Sequence, residues 1–108
     1  MRKLMFFDCR ELDRLAGFER CLEKPVKRRG GPLLVPDQPW ENGNMQLYGS
    51  VIKAPDRPFQ LWYSVVHKPW RALLAYAESD DGIRWRKPLL DLVPFKGRKT
   101  NLLLDCDI

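Results

Sequence analysis

Two apolar, aromatic-rich runs, Phe59 to Val66 and Ala72 to Ser79, are separated by His67-Lys68-Pro69-Trp70-Arg71 and followed by Asp80-Asp81-Gly82-Ile83-Arg84-Trp85. Short runs of this kind, bounded by turn residues, read as paired strands. Asp-Gly supplies the left-handed conformations that a tight turn needs. In the first run Phe59, Leu61, Tyr63 and Val65 are uniformly apolar, whereas Gln60, Trp62 and Ser64 are mixed. One side therefore faces a core, and Trp62 partly covers the other. In the second run Leu73, Ala75, Ala77 and Ser79 become small toward the end, which lets a neighbouring layer approach closely.

The rest of the chain is read around this unit. Met1 to Cys9 fits a strand or arm. From Arg10 to Cys21, Leu12, Leu15 and Ala16 have helical spacing that Gly17 interrupts, so a short helix and a bent hairpin both fit. Lys24-Pro25-Val26-Lys27-Arg28-Arg29-Gly30-Gly31-Pro32 excludes a helix and predicts a basic, extended loop. Leu33 to Val35 reads as a short strand leading into the loop Pro36 to Asn44, where Trp40 and Glu41 are expected to be exposed. Gln46 to Lys53 alternates as a single strand, and Ala54-Pro55-Asp56-Arg57-Pro58 turns the chain. Ile83 to Trp85 is expected to begin a fourth, outer strand stopped by Pro88. Leu89 to Phe95 and Asn101 to Leu104 are further apolar segments joined by the turn Lys96-Gly97-Arg98-Lys99.

The 108 residues suffice for one modest domain. With 44% hydrophobic and 31% charged residues, the composition is that of a folded globular chain. The apolar run Leu4 to Phe7 is too short for a signal-peptide core, and no stretch approaches the roughly 20 apolar residues of a spanning helix. A cytoplasmic protein without a membrane partner is the expectation. Cys9, Cys21 and Cys106 lack CxxC spacing, which points to reduced, partly buried thiols rather than a disulfide framework or zinc site. No phosphate-binding glycine loop, Ser-His-Asp set or metal cluster is present, so no cofactor and no metal are expected. His67 has no partner motif and is expected on a surface loop.

Several short strands at hairpin spacing predict an all-β architecture, and consecutive antiparallel strands with aromatic packing describe a β-propeller blade. Trp40-Glu41, Tyr48-Gly49-Ser50-Val51, Phe59-Gln60-Leu61-Trp62-Tyr63 and Ala75 through Pro88 together resemble the N-terminal part of five-bladed β-propeller proteins related to glycoside hydrolase families 32 and 43. Phe7-Asp8 and Gly17-Phe18-Glu19-Arg20 fit the opening segment of the same proteins. The resemblance implies one partial propeller domain: a leading segment over 1–45, a first blade over 46–88, and the start of a second blade over 89–108. Its most specific element is Ser79 through Pro88, a structural motif of such blades; sialidases carry a comparable turn. Asp80 and Asp81 are read as turn formers and Trp85 as packing between blades.

The resemblance also implies glycosidic hydrolysis by two carboxylates, one ionised and one kept protonated. The related families place the first-blade aspartate in an Asp-Pro pair, and the matching pair here is Ala54-Pro55. Asp56 and Glu41, the carboxylates nearest that place, are therefore the candidate catalytic residues. Trp40 and Asn101 are the candidate substrate-binding residues. The remaining carboxylates would lie beyond Ile108, so the chain is expected to lack a complete site and to have little activity alone. The first expectation is thus a glycoside-hydrolase-like module with a carbohydrate ligand, and the second a non-catalytic sugar-binding or interaction module. A nucleic-acid-binding domain using Lys27, Arg28, Arg29, Arg84, Arg86, Arg98 and Lys99 ranks last, because its basic residues are interrupted by prolines and lack an aromatic RNA-binding motif. Unpaired blade edges would favour an oligomer.

Overall fold

The computed structural model describes residues 13–14, 16–19, 21–42, 44–67 and 71–107. These residues form strands and no helix. The expected arm Met1 to Cys9 lies outside the described residues, as do Leu12 and Leu15 of the ambiguous stretch that follows it. Residues 21–37 carry no strand, and Leu22 and Val26 are almost fully exposed, in keeping with the extended basic loop. Leu33 to Val35 is not a strand; it finds no ladder partner, and Leu34 instead packs against the core.

The strands are β1 (Met45–Gln46), β2 (Val51–Lys53), β3 (Phe59–His67), β4 (Arg71–Ser79), β5 (Leu90–Phe95), β6 (Arg98–Thr100) and β7 (Leu102–Asp107). Five of them make an open antiparallel sheet in the order β1-β3-β4-β7, with β2 also on β3. The central β3–β4 hairpin pairs in unbroken register from Phe59↔Ser79 to His67↔Arg71. Its alternation then buries Leu61, Tyr63, Val65, Leu73, Ala75, Ala77 and Ser79 on one face. Trp40 and Leu102 complete the core on that face, with Met45, Trp85, Val93 and Phe95 packed at its margin. On the opposite face the Trp62 and Tyr76 rings meet tilted, with centroids 5.6 Å apart, both half-buried.

The expected single strand Gln46 to Lys53 is split. Gln46 pairs with Ser64 and Val51 with Leu61, so Leu47 to Ser50 face only Trp62 and Tyr63. The bulge turns about Gly49, where a Cβ would stand 2.0 Å from the Trp62 carbonyl oxygen. Ser50 accepts the Trp62 amide at 3.0 Å and restores the ladder.

Ile83 to Trp85 does not form the fourth strand. After the Asp-Gly turn only Glu78 and Arg86 bridge, and the place beside β4 passes to β7. The segment expected to open another strand set thus completes this sheet. Between them the β5–β6 hairpin, closed at Phe95↔Arg98, packs against β7. Lys96 and Gly97 turn it with φ of 49° and 75°, the pair of left-handed residues that a type I′ hairpin turn requires.

The turn Ser79 to Trp85 is built as its residue types predict. Asp81 Oδ1 accepts the amides of Ile83 and Arg84 at 2.8 and 2.7 Å and the Ser79 hydroxyl at 3.0 Å. Gly82 donates its amide to Ser79 Oγ and adopts a φ of 72°. Trp85 Nε1 donates to the Gly82 carbonyl, which lays the indole against the core margin. Asp80 instead holds Arg86 at 2.7 Å, together with Glu78 at 2.8 Å. Both aspartates are thereby structural.

Candidate functional site

Three of the four residues singled out from sequence meet in one hydrogen-bond network. Backbone turns bring residues 38–42 and Asn44 toward the sheet: Glu41 donates its amide to the Gln38 carbonyl, and Asn44 donates to that of Glu41. Asn42 adopts a left-handed φ of 48° within this turn. Asn44 then anchors to β3: its carbonyl accepts the Val66 amide, and its side-chain amide donates to the Val66 carbonyl, each at 3.2 Å. Trp40 and Glu41 are consequently driven into the core face.

They are not exposed as expected: Trp40 is 4% accessible and Glu41 is 0%. A tryptophan removes a large apolar area from water if its ring nitrogen finds an acceptor, and Trp40 Nε1 donates to Asn101 Oδ1 at 2.8 Å. Asn101, also fully buried, donates its amide to the Tyr63 hydroxyl and to the Tyr76 carbonyl, each at 2.7 Å. The Tyr63 hydroxyl in turn donates to Glu41 Oε1 at 2.7 Å. Burial, followed by the adjoining Glu41 carboxylate, holds the Tyr63 hydroxyl well above the ordinary tyrosine value.

Glu41 is satisfied on both oxygens. Oε2 accepts the Gln38 amide at 2.9 Å, and Lys87 Nζ reaches both oxygens, at 2.7 and 2.8 Å. The Lys87 side chain, 8% accessible, also donates to Asp37 at 2.6 Å and to the Val35 carbonyl at 2.7 Å. That bond to Lys87 is the main reason the Asp37 carboxyl lies below the usual carboxylate range. No buried side-chain nitrogen or oxygen among the described residues lacks a partner.

Asp56, the fourth residue, lies elsewhere. It occupies the exposed β2–β3 turn with a left-handed φ of 57°, and among the described residues no hydrogen bond joins it to Glu41 or Asn101. The two candidate carboxylates are thus held in different settings, one inside the core and one in a surface turn.

An open groove of about 330 Å³ lies against the network, lined by Pro39, Trp40, Phe95, Lys96 and Arg98. Phe95 is half-buried, tilted on Trp40 at 6.4 Å and edge-on to His67 at 6.5 Å. His67 is not on a surface loop: it ends β3, half-buried, with Nε2 2.6 Å from the Trp40 carbonyl. A carbonyl only accepts, so Nε2 carries the proton. Lys96 Nζ stands 5.5 Å from the Phe95 ring centroid. Trp40 and Arg98 stand out in the sequence, but Phe95 and Lys96 do not, because they have the pattern of a strand end and a turn and no spacing rule connects them to Trp40.

Neither Lys96 nor Arg98 has a carboxylate partner among the described residues. Lys99, from the same hairpin, pairs with Asp91 at 3.1 Å. Of the other basic residues proposed for nucleic acid, Arg86 is engaged by Glu78 and Asp80, and Arg84 lies 3.9 Å from Asp81. Cys21 is exposed and Cys106 half-buried, neither in a disulfide. Among the described residues no cluster of three histidine, cysteine or acidic side chains is placed to hold a metal ion, and no helix is long and apolar enough to cross a membrane. No protein-family model, curated protein or solved structure matches the chain.

Proposed function

We propose that the chain is a carbohydrate-recognition module on a sheet of the kind found in five-bladed propeller blades, and that it holds a sugar without cleaving it. The observation that carries this reading is the groove beside Trp40. Its apolar wall, Pro39 and Phe95 backed by the nearly buried Trp40, with long polar side chains at the rim, suits a pyranose, whose ring face is apolar and whose edge is polar. Its volume of about 330 Å³ falls at the lower end of small-molecule sites, roughly 300–1,000 Å³. Trp40 and Asn101 then serve as the supports that hold the wall rather than as groups touching sugar.

Recognition is favoured over hydrolysis by the state of Glu41. A general acid or nucleophile must reach the glycosidic oxygen or the anomeric carbon. Glu41 is fully buried, with both oxygens occupied by Tyr63, the Gln38 amide and Lys87. A blade reading also expects self-association, and the exposed β2 residues Val51 and Ile52 leave an edge on which it can occur.

Calorimetric titration with a panel of oligosaccharides, accompanied by a reducing-end assay, tests the reading. Binding without product release is expected. Absence of binding by every glycan at millimolar concentration overturns it, and release of reducing ends by the parent chain selects the hydrolytic alternative.

A further inference from the structure

We infer that the groove between Trp40 and the β5–β6 hairpin selects anionic saccharides, with the sugar ring on Phe95 and its carboxylate or sulfate between Lys96 and Arg98. This rests on the carbohydrate reading above and adds the ligand's charge. Three features carry it. The lining holds two cations and no acidic side chain. Neither cation is neutralised by a carboxylate among the described residues, although the neighbouring Lys99 is. The hairpin also sets where the two side chains leave the backbone, because Phe95 and Arg98 are a closing pair and Lys96 and Gly97 between them both take left-handed φ values.

The chemistry follows from the residue types. An arginine presents a planar fork that matches a carboxylate or sulfate with two parallel hydrogen bonds, and a lysine adds a point charge. Phe95 is steadied by Trp40 and His67, and the Lys96 ammonium already stands 5.5 Å from its ring centroid, so a sugar that reaches the ring meets that charge beside it. A neutral sugar would meet the same face but leave both cations to water. The preference is therefore electrostatic and weakens with salt, since the groove is open.

The test measures binding of the full chain to a hexuronate oligosaccharide, a sulfated oligosaccharide and a neutral oligosaccharide of equal length, with inorganic phosphate and a single-stranded RNA as controls. The anionic sugars should bind at least tenfold more tightly than the neutral one, and the uronate and sulfate arms identify which anion is preferred. Lys96→Gln and Arg98→Gln should each weaken anionic-sugar binding about tenfold, the scale of a lost charge-assisted hydrogen bond, and weaken neutral-sugar binding far less, because a glutamine amide still bonds a hydroxyl but carries no charge. Both side chains are exposed, so unchanged thermal unfolding of the variants confirms an intact fold. Equal affinity for neutral and anionic sugars overturns the inference while the carbohydrate reading stands. Equal displacement by phosphate, or tighter binding of RNA, overturns it in favour of a general anion site. No binding of any glycan removes both.

Discussion

Lys87 Nζ lies 2.7 Å from Glu41 Oε1 across 46 residues of sequence, and the two form an ion pair inside the core face. A buried pair is dangerous to break, because the surviving charge has no water to turn to. Lys87→Met should therefore destabilise the fold by about 3–5 kcal/mol. The double variant Glu41→Gln/Lys87→Met should recover much of that loss, since no charge is then left alone; urea unfolding of both variants reads the difference. Equal instability in the two would show that shape rather than charge dominates.

Tyr63 gives an alkaline signature. Its proton is held in the fold above the ordinary value of 10.0, so the stability it contributes is complete below pH 10 and declines as the pH rises beyond it. Denaturant midpoints followed from pH 9 upward should fall for the parent and fall less for Tyr63→Phe. At neutral pH the same substitution should cost about 1–3 kcal/mol, because Glu41 and Asn101 each lose a buried partner.

Asp81 gives the acid counterpart. The amides of Arg84 and then Ile83 hold its carboxyl down to about 2, against 3.8 for an unperturbed aspartate. A lowered value means stability that is present above pH 4 and is lost as the pH falls toward 2. Asp81→Asn keeps the accepting oxygen but cannot take up the proton, so its stability should change less across that window. Asp37 and Asp105, lowered by Lys87 and Arg71, titrate in the same direction and set the residual slope.

Gly49 is the steric test of the split edge. A methyl group there would collide with the Trp62 carbonyl, so Gly49→Ala should cost about 3 kcal/mol, the upper range for overpacking. Hydrogen exchange should localise the damage to β2 and its partners on β3. A neutral substitution would mean that the bulge can be rebuilt without Gly49.

Much of the central sheet was legible because adjacent residues sufficed to specify it. The alternation of Leu61, Tyr63 and Val65 and of Leu73, Ala75 and Ala77 identifies the buried face, and Ser79, Asp81 and Gly82 carry the chemistry of their turn within a few positions. The edges were less so. Gln46 to Lys53 alternates acceptably, but alternation cannot reveal that Gly49 must sit against the Trp62 backbone. Ile83 to Trp85 has strand-like residues, yet β7 takes the ladder beside β4.

The site divides along the same line. Trp40, Glu41 and Asn101 stand out as residue types, but sequence suggested an exposed pair next to a pocket, whereas Tyr63 and Lys87 draw them inward. The sequence by itself determined the antiparallel hairpin, its core face and the Asp-Gly turn, since these depend on side-chain period and local backbone preference. Only the tertiary structure decided that Glu41 is a buried, paired carboxylate, that Asp56 stands apart from it, and that Phe95, Lys96 and Arg98 form the accessible groove. Those relations depend on which distant segments share the low-dielectric interior, and no local pattern encodes them.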